Sequence, residues 1–159
     1  MKPGYNRDAP LGRLFNFLTK NYIGALTQKL GNLDIERHFY SLVIVEQGGG
    51  EINQKELAEV LKMDKASMVR LVDYLSDIGM LLRKQNPDDR REYHLVLTDK
   101  AKEQLPEIKR TIRDMNEAAL QGFTSEEKEM FYSMMGRICC NLSSLPSDEI
   151  LMEFKKIKK

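Results

Sequence analysis

The sequence has little of what covalent and metal chemistry usually need. Its 159 residues include two cysteines and two histidines. Cys139 and Cys140 are adjacent, and neighbours on a helix point about 100° apart, so a bridge between them would be strained and reduced thiols are expected. His38 and His94 belong to no H-x-x-x-H or C-x-x-C spacing, which removes the common zinc signatures and leaves structural roles as the expectation. No G-x-S-x-G, P-loop or G-x-G-x-x-G occurs, and the triple glycine Gly48 to Gly50 lacks the strand and phosphate-binding helix such motifs require. No enzyme, metal or cofactor is expected. Long apolar runs are missing as well. None approaches the roughly 18 to 20 residues of a membrane span, and the polar opening MKPGYNRDAP has no apolar segment behind it. The expectation is a cytoplasmic protein without a membrane partner. An excess of one charge is also lacking: Lys+Arg 25 against Asp+Glu 24 gives a net charge of +1. Any attraction to nucleic acid must therefore be local rather than global.

What is present is helical periodicity. At 42% hydrophobic and 31% charged residues the chain is long enough for one compact domain, or for a small domain with extra helices that need a partner. Leu11, Leu14, Phe15, Leu18, Tyr22, Ile23, Leu26 and Leu30 predict a long amphipathic helix. A second helix is expected from about Ile35 to Gln47, apolar on several sides and ended by the glycines. Asn53 can cap a short helix with Leu57, Val60 and Leu61. Asp64 can cap another whose inward residues are Met68, Leu71, Val72 and Leu75, with Gly79 as its stop. Two short helices joined this tightly make a helix-turn-helix.

A hairpin follows at once. Met80 to Lys84 and Tyr93 to Leu97 read as strands, with Leu95 and Leu97 sharing a face with Tyr93, and QNPDDRRE between them as a charged turn. Thr98 caps a long helix to about Gln121, in which Pro106 is expected to cause a kink. Thr124 with Glu127 forms a capping box for a helix to about Ser143. The predicted fold is mainly α with a small β-wing. A winged helix-turn-helix lobe spans 35–98, helical dimerisation regions 10–34 and 99–145, and a tail 146–159. The tail's Ile150, Leu151, Phe154 and Ile157 could extend the dimer face.

The wing explains its own charge. When the second helix of such a unit enters the major groove, the hairpin tip lies at the backbone and minor groove, where an arginine gains from the negative potential. An adjacent carboxylate would repel phosphate, so Asp89 is expected to act on the protein side, holding the guanidinium of Arg91 in a bidentate fork. On the preceding helix Lys65, Ala66, Val69, Arg70 and Asp73 face outward. Small apolar side chains suit thymine methyls, Arg70 suits guanine, and Ser67 can donate to phosphate. The expected DNA-binding set is Lys65, Ala66, Ser67, Val69, Arg70, Asp89, Arg90 and Arg91, with Lys55 and Lys84 as further phosphate contacts.

Asp89, Arg91, Leu97 and Thr98 at this spacing, together with DKASMVRLVDYLSDIGML and the order of elements from Leu11 to Leu145, resemble the MarR family of transcriptional regulators. The resemblance implies a DNA-binding homodimer, an inverted-repeat operator, repression, and frequently relief by a small phenolic molecule or by oxidation. Positions matching Ser67, Arg70 and Arg91 are typical DNA contacts of the family. Its effector pocket maps to Arg13, Phe17, His38, Tyr40 and Met115, each of which also suits ordinary core.

Simpler readings compete. Asn53 to Thr98 holds eight Lys or Arg and eight Asp or Glu, so a DNA-binding lobe must segregate its charges, with Glu56, Glu59 and Asp77 turned away. That neutrality favours the rival function, a winged-helix adaptor that binds protein and no DNA. The methionines Met130, Met134 and Met135 look like adaptable packing. Cys139 and Cys140 fall where the family builds its dimer, one of them expected to be buried. A cysteine-based redox regulator is the remaining alternative.

Overall fold

The computed structural model of the chain describes residues 8–33, 35–36 and 38–146; the predicted tail apart from Pro146 lies outside them. Six helices and one two-stranded sheet are present among these residues: α1 (Leu11–Lys29), α2 (Phe39–Gln47), α3 (Gln54–Leu61), α4 (Lys65–Asp77), β1 (Leu81–Gln85), β2 (Tyr93–Leu97), α5 (Asp99–Ala119) and α6 (Ser125–Ser143). None of the described helices is long and apolar enough to cross a membrane.

The centre of the molecule is α2. Phe39, Leu42, Val43, Ile44 and Val45 are all buried, so apolar side chains leave this short helix in every direction. Most of such a helix must be covered, and here α3, β2 and α5 supply the cover while Tyr40, Glu46 and Gln47 stay exposed. It begins at Phe39 rather than near Ile35. Leu33 and Ile35 are buried, but in non-helical chain, so the apolar pattern extended past the helix that it appeared to mark. At the other end Gly49 takes φ +62, a left-handed conformation that glycine adopts without steric cost.

Caps set the remaining boundaries. Asn53 accepts from the Glu56 amide while Glu56 accepts from the Asn53 amide, each at 2.9 Å, a reciprocal capping box at the start of α3. Asp64 caps α4 through the Ser67 amide at 2.9 Å, and Met68, Leu71, Val72 and Leu75 face inward as their spacing predicts. The end of α4 is a Schellman motif. Gly79 at φ +73 donates to Ser76 O at 3.0 Å and Met80 donates to Leu75 O at 2.8 Å. Met80 therefore belongs to the helix cap, which is why β1 starts one residue later than its apolar pattern suggested.

The hairpin is antiparallel, with Leu81 opposite Leu97 and Gln85 opposite Tyr93. Leu95 and Leu97 are buried, but Tyr93, on the same face at the distal end, is half exposed because the core does not reach so far. A third segment joins at Ile52 and Asn53: Asn53 bridges His94, and the Leu95 amide donates to Ile52 O at 2.8 Å. This completes a winged helix-turn-helix. Helix α5 runs unbroken through Pro106 and buries Ala101, Leu105, Ile108 and Met115. Helix α6 has the predicted Thr124–Glu127 capping box and no buried residue at all. Cys139 and Cys140 are accordingly both exposed, against the expectation that one would be buried: the helix that carries them packs no face into this chain's core.

Thr98 joins cap and wing. Its hydroxyl donates to Gly79 O at 2.7 Å and accepts from the Ala101 amide at 3.2 Å, and its own amide donates to Met80 O at 3.1 Å. Loss of an N-cap hydroxyl costs about 0.5 to 2 kcal/mol, and the bond to Gly79 places Thr98→Ala toward the upper part of that range. Thr98→Ser should recover most of the loss. Urea unfolding midpoints of the three proteins check this.

Candidate nucleic-acid interface

The two ends of the winged lobe that carry the predicted contacts are α4 and the turn between β1 and β2. On α4, Lys65, Ala66, Val69 and Arg70 are exposed and Ser67 is half-buried. Val69, at 37% exposure, is not part of the core cluster. Ser67 is engaged on both sides. Arg70 Nη2 donates to its Oγ at 3.0 Å, and its hydroxyl and amide both bind Asp64. Hydrogen bonds from the Ser67 side chain and then its backbone, with help from the Arg70 charge, hold the Asp64 carboxyl below the usual aspartate range. Asp73, the remaining outward residue, is paired with Arg83 of β1 at 2.5 Å, so its charge is neutralised and α4 is tied to the wing.

The wing tip is built differently from the expected fork. The Glu92 amide donates to Asp89 O at 3.0 Å, closing a four-residue turn with Arg90 and Arg91 at its centre. The Asp89 carboxylate accepts from the Arg91 backbone amide at 2.9 Å, and no ion pair joins it to the guanidinium. This corrects the sequence expectation. Asp89 does orient Arg91, but by an Asx turn that fixes the peptide and leaves the side chain free. A carboxylate two positions before an amide in a tight turn reaches that amide more readily than the end of a long side chain. Gln85 Nε2 adds a bond to Arg90 O at 2.8 Å, and both arginines are exposed.

Charge segregation follows from these bonds. Of the eight carboxylates from Asn53 to Thr98, six are engaged: Glu56 and Asp64 in helix caps, Asp89 in the turn, Glu92 with two asparagines, Asp73 with Arg83 and Glu59 with Lys55. Lys62, Lys65, Lys84, Arg90 and Arg91 form no ion pair among the described residues. A module neutral by count thus presents unpaired cations. Lys55 is not one of them, since it lies 3.9 Å from Glu59.

Lys62 is absent from the expected set. It sits in the turn between α3 and α4 at φ 51, the one non-glycine residue with positive φ among those described. Left-handed backbone costs a side-chain-bearing residue on the order of 1 kcal/mol, and glycine would relieve it. A lysine pattern alone gave no sign of this. The signal in the sequence is the short spacing from Leu61 to the Asp64 cap, which demands a left-handed residue between them.

The expected effector residues are not gathered together. Tyr40 lines a shallow cleft between α2 and α5 with Val43, Lys109, Ile112, Arg113, Asn116 and Glu117. Arg13 and Phe17 are exposed on α1, and Met115 is buried on α5. His38 packs its ring 5.8 Å from that of Tyr74. None of these four lines the cleft.

The MarR family model matches residues 36–93, the lobe just described. Among solved structures, the transcriptional regulator SlyA is 23% identical, with 85% of this chain and 95% of that one covered and a TM-score of 0.78. A MarR family transcriptional regulator from Listeria monocytogenes, complexed with a 26mer DNA, is 23% identical over 85% and 90% of the two chains, with a TM-score of 0.76. A mutant MarR from E. coli, complexed with operator DNA, is 24% identical over 84% and 96%, with a TM-score of 0.74.

Asp64 gives the site a pH signature. A carboxyl lowered in the folded state contributes stability above its ordinary value, near 3.8, and loses that contribution as pH falls through the lowered value. The stability gap between wild type and Asp64→Ala should therefore be widest at neutral pH and should narrow in acid. Unfolding midpoints measured from about pH 7 to about pH 3 check the sign. The winged lobe thus resembles the MarR family over residues 36–93, and the fold is shared with these solved structures over most of the chain.

Proposed function

We propose that the protein is a sequence-specific double-stranded DNA-binding transcriptional regulator that acts as a homodimer on an inverted-repeat site, in the manner of a repressor. The observation that carries this reading is the segregation of charge. Four of the eight carboxylates of the winged lobe are bound to amides and two more to cations, while Arg90 and Arg91 occupy the centre of a hydrogen-bonded turn and form no ion pair among the described residues. Phosphate neutralisation supplies most non-specific affinity, and exposed Ala66, Val69 and Arg70 add side chains suited to base edges. The DNA complexes of the Listeria and E. coli proteins, which share this fold, support the same assignment.

The homodimer is supported by α6 and α1. Helix α6 has no buried residue, and Met130, Tyr132 and Met134 on it are each at least half exposed. Leu11, Phe17 and Leu18 of α1 are similarly bare. Apolar surface on this scale is characteristic of an interface. A two-fold partner covering it would place two copies of α4 about 34 Å apart, one turn of DNA, and would require a near-palindromic operator. The cleft at Tyr40, where Val43 and Ile112 lie among Arg113, Glu117 and a Lys109 paired with Glu46, has the mixed apolar and polar character that a small aromatic or phenolic effector would use.

The direct test is selection of a duplex from a random pool, followed by gel shifts across a salt series. Binding that is sequence-dependent and weakens steeply with salt is expected; no selected sequence and no salt dependence would remove the reading. Arg91→Ala should abolish specific binding without loss of fold. Asp89→Asn, which preserves the Asx turn, should bind nearly as wild type, whereas Asp89→Ala should weaken binding. Arg70→Ala should cost about 1 to 3 kcal/mol and relax one base position. Leu18→Glu combined with Ile138→Glu should shift the protein toward monomer in sedimentation, and a fully monomeric wild type would remove the dimer.

A further inference from the structure

Glu92 is the one acidic residue of the wing whose carboxylate meets two side-chain amides from different parts of the lobe. Its Oε1 accepts from Asn53 Nδ2 and its Oε2 from Asn86 Nδ2, each at 2.6 Å. Both amides are committed in only one orientation. Asn53 Oδ1 is occupied by the Glu56 amide in the cap of α3, and Asn86 Oδ1 by the Asp88 amide at 2.9 Å in the wing turn. With each oxygen taken, each NH2 group must point away from its turn, and a carboxylate, which only accepts, satisfies both. His94 Nε2 lies 3.8 Å from Oε2 and completes the surroundings of the group.

The backbone around Glu92 serves the wing. Its amide closes the Asp89 turn that presents Arg90 and Arg91, and its carbonyl accepts from the Asn86 amide at 2.9 Å. One residue is thus bonded to the arginine turn by its main chain and to the first helix of the helix-turn-helix by its side chain. We propose that Glu92 is a positioning residue that fixes the wing arginines relative to the helix-turn-helix, so that both reach DNA in one register. The proposal rests on the DNA-binding reading above. A bare carboxylate next to two arginines at a phosphate surface would oppose binding, and its placement between two amides is what converts it into a brace.

The full chain is compared as wild type, Glu92→Ala and Glu92→Gln. Glutamine keeps the size but replaces one acceptor with a donor, so one asparagine bond must be lost; it carries the test if the alanine variant does not fold. Hydrogen exchange at the Asp88 and Arg91 amides should accelerate by about tenfold in Glu92→Ala and less in Glu92→Gln, with α5 amides unchanged. On the duplex selected by the wild type, binding should weaken by about tenfold in Glu92→Ala. The same substitution added to Arg90→Ala/Arg91→Ala should have no effect at low salt, where remaining phosphate contacts keep binding measurable. Tighter binding by Glu92→Gln, equal exchange at the wing amides, or an undiminished loss in the arginine-free background would overturn the proposal. If the wild type selects no duplex, the DNA-binding reading fails, and the exchange experiment alone decides whether Glu92 braces the wing.

Discussion

Six of the eight carboxylates of the winged lobe are taken up by amides or cations, and the charge that the lobe presents depends on that occupation. Equal numbers of acidic and basic residues lie between Asn53 and Thr98, which on composition alone gives no preference for a polyanion. The acidic groups are nonetheless useful, because helix N-termini and tight turns leave amides without partners. Glu56, Asp64 and Asp89 satisfy such amides, so the same residues that stabilise the fold are withdrawn from the surface field. Stability and charge presentation are met by one set of hydrogen bonds.

A second constraint is the division of apolar surface. Helix α2 is so thoroughly buried that it fixes how α3, β2 and α5 meet around it, and the lobe needs nothing further to close its core. Helices α1 and α6 lie at the other extreme. Only Leu26 of α1 and no residue of α6 is buried, although both carry apolar stripes. Where α1 meets α5, Tyr22 donates to Asn116 Oδ1 at 2.8 Å, and burial, with Tyr132 of α6 adding to it, raises its phenol above the ordinary value. The fold completes one core and leaves two apolar stripes open, the feature on which the proposed dimer rests.

Elements with strong local chemistry were legible in the sequence. Asn53, Asp64, Thr98 and Thr124 all cap the helices they were expected to cap, and the inward face of α4 matches its spacing residue by residue. The winged architecture followed from their order. Features set by tertiary bonding were less visible. Buried Ile35 imitated a helix that begins four residues later, and Met80 imitated a strand while serving a Schellman motif. The role of Asp89 was right in kind and wrong in atom, since residue spacing does not distinguish a bond to a side chain from one to its own backbone amide. Lys62 and the amide pair around Glu92 depend on backbone conformation and on contacts 39 residues apart, which no local pattern records. Of the effector positions that the family resemblance implied, Tyr40 lines the cleft between α2 and α5 and the other four do not, a matter of tertiary placement that no local pattern records.

The wing itself is restrained at three levels, and together these bear on how an arginine side chain can be used. At the base, the Thr98 hydroxyl and amide bind Gly79 O and Met80 O, joining β2 to the end of α4. In the stem, Arg83 pairs with Asp73, so β1 is tied to the same helix along its length. At the tip, the Asx turn of Asp89 fixes the peptides of Arg90 and Arg91. A flexible hairpin would have to be ordered on binding at a cost of roughly 1 to 2 kcal/mol for each residue fixed. With the backbone already ordered, only the two guanidinium side chains remain to be immobilised, and their position is inherited from α4. The helix and the wing therefore meet a ligand as one body, and the spacing between them becomes a property of the fold rather than of the complex.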